Sequence, residues 1–315
     1  MPAITIDQMK SYLSKSISSF NRNKFNGIMA EIDFRNYITQ LRWGERVSIG
    51  GWIVRSEGEG NFAHNTIALF PETIEYDYEY PADRQMPNPS HGLHTICSTF
   101  HQIGIKSYFC SFNLEEVDNI ISPAWSWIQL GLPTQQRYRP LFDGIEGVNF
   151  RERVYNFLRH ETDVSLIPPE SISEQYTKEN IRIAFQSKYF AEISDVDGIL
   201  WGNQFTYPLE IKEKTVANDR HVGKYFGIDI GPFVKLAFYA AKKGNLHSLF
   251  IVREIDNIDD RRLVNWWFIT YDKLAQYASW VSVGGGRNMQ GGASSVVKIP
   301  FSEFTLLNRE NLERL

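Results

Sequence analysis

Apolar residues recur at mixed three- and four-residue spacing over residues 7–20 and again over 28–41, which predicts two amphipathic helices. The period then changes. Val47 to Arg55 reads as a strand, Glu57 to Asn61 as a polar, glycine-rich turn, and Thr66 to Phe70 as a second strand. Residues 71–92 mix prolines and tyrosines with no helical period, so a long irregular crossing is expected. Ser107 to Phe112 predicts a strand and Leu114 to Ile121 a short helix, and the polar stretch Pro133 to Pro140 is a plausible link between domains.

The second half is more regular. Val148 to His160 reads as an amphipathic helix with Val154, Phe157 and Leu158 on one side. Pro168-Pro169 predicts a helix stop, and the alternation of Ile181, Ile183 and Phe185 reads as strand. Two neighbouring strands follow, Ser194 to Trp201 and Tyr207 to Lys212. Gly231-Pro232 opens a helix expected to run through Lys243, proline fitting a first turn. Leu249 to Arg253 and Val264 to Thr270 read as strands, and Asp272 as the cap of a helix through Val281. The order is that of an α/β protein, with an N-terminal α+β domain over 1–145 and a core over 146–315.

Composition narrows the class. Of 315 residues, 43% are hydrophobic and 22% charged, the balance of a soluble globular protein. Aromatics make up 14%, which promises a sizeable core. No apolar run approaches the roughly 20 residues a membrane helix needs, and no basic-then-apolar leader opens the chain. Cys97 and Cys110 make no disulfide framework. A cytoplasmic location without membrane attachment is expected.

The chemistry concentrates near residue 200. Strand side chains alternate, so Glu210 and Lys212 point one way while Ile211 points into the core. If the two strands pair, Asp197 joins them. Two carboxylates suit a hard divalent cation such as Mg²⁺, and a lysine beside them can orient or deprotonate an attacking water. Asp195, two residues before Asp197, shares its face. The plain alternative is a surface ion pair between Glu210 and Lys212, worth little; the apolar neighbours Leu209, Ile211, Ile199 and Leu200 argue against it.

Asp197 followed by Glu210-Ile211-Lys212 resembles the signature of the PD-(D/E)xK nuclease superfamily, which includes restriction endonucleases, junction resolvases and repair nucleases. Val196 stands where that family often has proline. The resemblance covers roughly residues 146–300 and implies a restriction-endonuclease-like mixed central sheet flanked by helices. It implies that Asp197 and Glu210 hold Mg²⁺, with the Ile211 backbone carbonyl as a further ligand, and that Lys212 aligns the water. It also implies a glutamate from a preceding helix, for which Glu152 is the first candidate and Glu161 and Glu31 are rivals. Lys235 and Tyr239 lie one helical turn apart where some subfamilies carry Gln-x-x-x-Tyr, which would bring Lys235 near the scissile phosphate.

A net charge of −4 does not advertise nucleic-acid binding. Cations nonetheless cluster after the motif, at Lys214, Arg220, His221 and Lys224, and these with Lys235 and Arg287 are the candidate DNA contacts. Arg287 sits in a glycine-rich run, Gly284 to Gly292, that lacks the ending of a nucleotide-binding loop. Other basic clusters are Arg137 with Arg139, Arg151 with Arg153, and Arg261-Arg262. His91, His94, Cys97, His101 and Cys110 have zinc-like spacing, but without a paired Cys-x-x-Cys core packing is the simpler reading.

The leading expectation is a Mg²⁺-dependent type II restriction endonuclease acting on double-stranded DNA. A palindromic target would call for a homodimer. That role also admits a cognate DNA methyltransferase acting separately, in a bacterial or archaeal cell. Two alternatives stay open: a repair or anti-phage defence nuclease without base-sequence specificity, and a non-catalytic DNA-binding module on the same fold.

Overall fold

The computed structural model describes residues 3–17, 22–56, 65–113, 123–130, 139–140, 167–240, 247–277, 279–285 and 294–315. In chain order the first elements are α1 (Ile6–Ile17), α2 (Arg22–Gln40), β1 (Val47–Ser56), β2 (Thr66–Pro71), α3 (His91–Gln102), β3 (Lys106–Asn113), β4 (Ala124–Leu130) and β5 (Arg139–Pro140). Then come α4 (Pro169–Tyr189), β6 (Phe190–Trp201), β7 (Thr206–Lys214), β8 (Ala217–Asp219), β9 (Gly223–Asp229) and α5 (Ile230–Ala240). The last are β10 (Leu249–Ile255), β11 (Leu263–Thr270), α6 (Tyr271–Tyr277), β12 (Ser279–Gly285), β13 (Ser294–Pro300), β14 (Thr305–Leu306) and α7 (Arg309–Leu312). The protein is mixed α/β, with a large mixed sheet flanked by helices. Among the described residues no helix is long and apolar enough to cross a membrane.

Two compact units emerge, neither a single run of sequence. One is Met1–Phe25 with Gly50–Asp195; the other is Asn26–Ile49 with Val196–Leu315. The division expected at 145/146 lies outside the described residues, as do the expected helices at 114–121 and 148–160.

In the first unit the strand order is β1-β2-β3-β4-β5. β2 and β3 run parallel, linked through α3, and the other pairs are antiparallel. Ser90 caps α3 by accepting the Leu93 N–H, and Gly104, at φ +82°, makes the left-handed exit a side chain would resist. The expected stop at Pro168-Pro169 and strand at 181–185 are corrected: Pro169 opens α4, which runs through those residues. Proline is well placed in a first turn, where its missing N–H has no partner to lose. The buried face of α4 includes polar side chains at helical spacing, Ser173, Thr177 and Asn180 beside Ile172, Tyr176 and Ile181. Ser173 donates to the Ile74 carbonyl, Thr177 accepts the Ile74 N–H at 2.9 Å, and Asn180 accepts the Trp125 indole N–H at 3.1 Å.

The second unit carries the strands β14-β11-β10-β7-β6 in that order. β7 pairs antiparallel with β6 and parallel with β10, and α5 makes the crossover. One face packs on α2 through Ala30, Phe34 and Ile38 against Leu209, Ile211, Leu249 and Ile251. The other packs on α5 and on a second sheet, β12-β13-β9-β8, through Phe233, Leu236, Phe226, Phe250 and Val252. Asp272 lies inside the first turn of α6 rather than capping it, and the helix ends at Tyr277. Ser279 to Val281, expected to continue that helix, belong instead to the strand β12, whose partner is β13.

Candidate functional site

The register of β6 on β7 runs from Gly198↔Leu209 to Trp201↔Thr206. One step further sets Asp197 opposite Glu210 on the same face. A side chain takes over from the backbone there: Asp197 Oδ2 accepts the Ile211 N–H at 2.6 Å. Gly198 lets the strands close at this point, since a Cβ on it would stand 3.2 Å from the Leu209 side chain. On the other side of β7, Phe250 pairs with Glu210 and Ile251 with Ile211. Ile211 and Ile251 sit in the core under α2, and Phe250 in the core under α5. Strand alternation therefore turns Glu210 and Lys212 to the α5 side.

Asp197, Glu210 and Lys212 converge. The two carboxylate side chains are each 1% exposed, and Lys212 Nζ lies 2.7 Å from Glu210 Oε1 and 3.8 Å from Asp197 Oδ2. Lys212 itself is 32% exposed, so its ammonium can meet a ligand from solvent. The second Glu210 oxygen pairs with Lys235, which α5 presents to β7. Tyr239, one turn along α5, is buried.

Of the three candidate glutamates, Glu31 is the one that lies among the described residues, and it stands beside Asp197. Glu31, Asp195 and Asp197 each offer an oxygen, and the three lie within 4.8 Å of one another; among the described residues this is the group that could hold a metal ion. Asp195 and Asp197 follow each other on β6, while Glu31 comes from α2. That helix is held in place by several contacts. Asp33 pairs with Arg253 at 2.8 Å, and Arg253 in turn with Glu213 at 2.8 Å. Tyr37 donates to the Leu307 carbonyl at 2.7 Å, and Phe34 and Tyr37 rest on Trp266. Burial pushes the Glu213 carboxyl above its ordinary 4.5, against the pull of Arg261 and Arg253.

The donor set is carboxylate oxygen, which selects a hard divalent cation. Opposite ligands of one Mg²⁺ span about 4.2 Å, twice its ~2.1 Å bond, so the 4.8 Å spread needs only a small contraction. Glu31, Asp195 and Asp197 gather as carboxylates, while Glu210 is paired with Lys212 and Lys235. Asp197 joins the acidic group to the lysines, whereas both oxygens of Glu210 are turned to ammoniums.

The remaining candidates separate. Lys214 continues the face of Lys212 but is half-buried, and burial lowers its ammonium below the ordinary 10.5, with Asp229 opposing that shift. Arg220, His221 and Lys224 are exposed at the turn joining β8 to β9. Asp219 shapes that turn, accepting the His221 and Val222 N–H groups and pairing with Lys298 at 2.5 Å; these contacts hold its carboxyl well below the usual range. Arg261 pairs with Glu213 rather than facing solvent alone. Glu152, Glu161, Arg151, Arg153, Arg137 and Arg287 lie outside the described residues. Cys97 and Cys110 are free and buried, and burial raises the Cys97 thiol to about 12. Neither joins a ligand group with the described histidines; both are core residues.

Sequence reasoning left Glu31 as one rival among three, because more than a hundred residues stand between α2 and β6. It assigned Lys235 to the phosphate and did not anticipate its pairing with Glu210. The crossover of α5 between parallel strands was the available signal, since such a helix must lie across the strand it leaves. Comparison with protein-family models, curated proteins and solved structures returns no match for this chain.

Proposed function

We propose that the protein is a Mg²⁺-dependent endonuclease that hydrolyses phosphodiester bonds of double-stranded DNA, on a restriction-endonuclease-like core. One observation carries the reading: Asp197, Glu210 and Lys212, singled out by their spacing, meet at one spot, with Glu31 beside Asp197. The resemblance to the PD-(D/E)xK superfamily rests on the same residues.

Glu31, Asp195 and Asp197 would hold the cation. The Ile211 carbonyl is a further candidate, since a strand residue's C=O points to the same side as its N–H, here towards Asp197. A bound Mg²⁺ supplies charge neutralisation at the phosphate and a more acidic water. The chain's own residues do the rest. Lys212, held between two carboxylates yet open to solvent, donates to the attacking water or to a phosphate oxygen and fixes its line of approach. Glu210 orients Lys212 through Oε1. Asp197 bridges the ion site and Lys212, and its bond to the Ile211 N–H fixes that bridge.

A type II restriction activity on a palindromic site, by a two-fold dimer, is the form we favour. The exposed cations Arg220 and Lys224 would meet the DNA backbone, a sequence-independent contact that positions the duplex. Incubation of DNA with the protein and Mg²⁺ tests this. Discrete fragments support restriction, whereas smearing or nicking supports a repair or defence nuclease. Binding without cleavage under any divalent ion refutes the enzymatic reading and leaves a DNA-binding module.

A further inference from the structure

Glu210 is the acid of the acid-x-lysine triplet, yet both its oxygens are already engaged by cations of the protein itself. Lys212 Nζ lies 2.7 Å from Oε1, and Lys235 takes Oε2. The two lysines differ in freedom. Lys212 is 32% exposed and also reaches towards Asp197. Lys235 is 14% exposed, and its helix is locked onto the sheet by the buried side chains Phe233, Leu236 and Tyr239. Lys212 has room to follow a substrate; Lys235 does not.

We propose that Lys235 is a positioning residue that reserves Glu210 for the lysines and so confines the centre to a single divalent cation, held on the Glu31 and Asp197 side. This rests on the metal-centre reading above and goes beyond it by fixing how many ions act. A second cation would need a Glu210 oxygen, and Oε2 is the one turned away from Lys212. To reach it, the ion must approach an ammonium that cannot withdraw with its helix. Like charges at contact distance repel strongly where water is scarce. Removal of its charge lifts that repulsion and frees an oxygen of the kind hard cations take.

The test counts bound ions on the full chain, with Mn²⁺ as a paramagnetic probe followed by electron paramagnetic resonance, with no DNA present. The native protein is expected to bind one Mn²⁺ per chain. Lys235→Gln and Lys235→Met, which keep most of the side-chain volume and lose the charge, are expected to bind two. Lys235→Arg keeps the charge and is expected to behave as the native chain. Thermal melting confirms that each variant folds, and either neutral variant suffices. If the native protein binds one ion and the folded neutral variants also bind one, this inference fails while the metal centre stands. Two ions on the native protein also overturn it. A native protein that binds no Mn²⁺ overturns both.

Discussion

Exchange of Glu210 for Gln should destabilise the metal-free protein far more than exchange of Glu31 for Gln. Both changes remove one negative charge and almost no volume. Glu210 is buried between two ammoniums, 2.7 Å from the nearer. At an effective dielectric of about 20, a contact at that distance is worth roughly 6 kcal/mol before desolvation is counted. Breaking a buried pair typically costs about 3–5 kcal/mol, because the remaining charge is stranded. Lys212 is a third exposed and can turn to water, so the lower end applies, about 3 kcal/mol. Glu31 instead lies within 4.8 Å of other carboxylate oxygens. One like-charge contact at that distance costs about 1 kcal/mol in a water-like dielectric and about 3 kcal/mol at an effective 20. Glu31 is only half-buried, so Glu31→Gln, which relieves this repulsion, should cost the metal-free protein much less than Glu210→Gln. Urea unfolding in EDTA measures both. Added Mg²⁺ should then stabilise the native chain, by about 2.7 kcal/mol at a hundredfold excess over its Kd, and the Glu31 variant much less. A Glu31 variant as destabilised as the Glu210 variant, or a Glu210 variant within about 0.5 kcal/mol of native, the scatter of ordinary surface changes, would refute this electrostatic account.

Further outcomes follow from the same geometry. Lys212→Ala should lower the cleavage rate by about 10²–10³-fold, the range for loss of one preorganised donor, while Mn²⁺ binding in the absence of DNA persists. Asp197→Ala should abolish cleavage and also destabilise by about 1–3 kcal/mol, because the buried Ile211 N–H loses its acceptor; hydrogen exchange at that amide would report the loss. Lys214 has a folded-state value below its unfolded 10.5, so between those values the unfolded chain binds the extra proton and stability rises with pH; Lys214→Met should flatten that rise and stabilise the protein below it, as read by melting from pH 7 to 10.5. Arg220→Gln with Lys224→Gln should weaken DNA binding for all sequences alike and reduce the slope of log affinity against log salt by about one for each phosphate no longer neutralised, with stability unchanged because both side chains are exposed.

The motif strands were legible because a two-residue period, with apolar residues between charges, is the mark of a strand buried on one face. Leu209 and Ile211 fix the inward face, and Glu210 and Lys212 must then take the other. Glu31 was harder. Periodicity locates a helix over 28–41 but says nothing of which strand it will cover, and the chain leaves that unit after Ile49 and returns only at Val196. α4 was misread for a different reason: part of its buried face is written in Ser173, Thr177 and Asn180, each satisfied by a hydrogen bond invisible in the letters. The residues that do alternate, Ile181 and Ile183, then looked like strand. The second sheet went unseen because β8 spans three residues and β12 ends in glycines, leaving no period to detect.

Cleavage of sequence-complex genomic DNA by the native protein and by Asp197→Ala, each with Mg²⁺ and with EDTA, bears most directly on the centre as a whole. Cutting by the native chain with Mg²⁺ alone, and by nothing else in the set, is the predicted pattern. Equal cutting by the variant, cutting in EDTA, or intact DNA throughout would contradict a metal-dependent nuclease built on Asp197, Glu210 and Lys212.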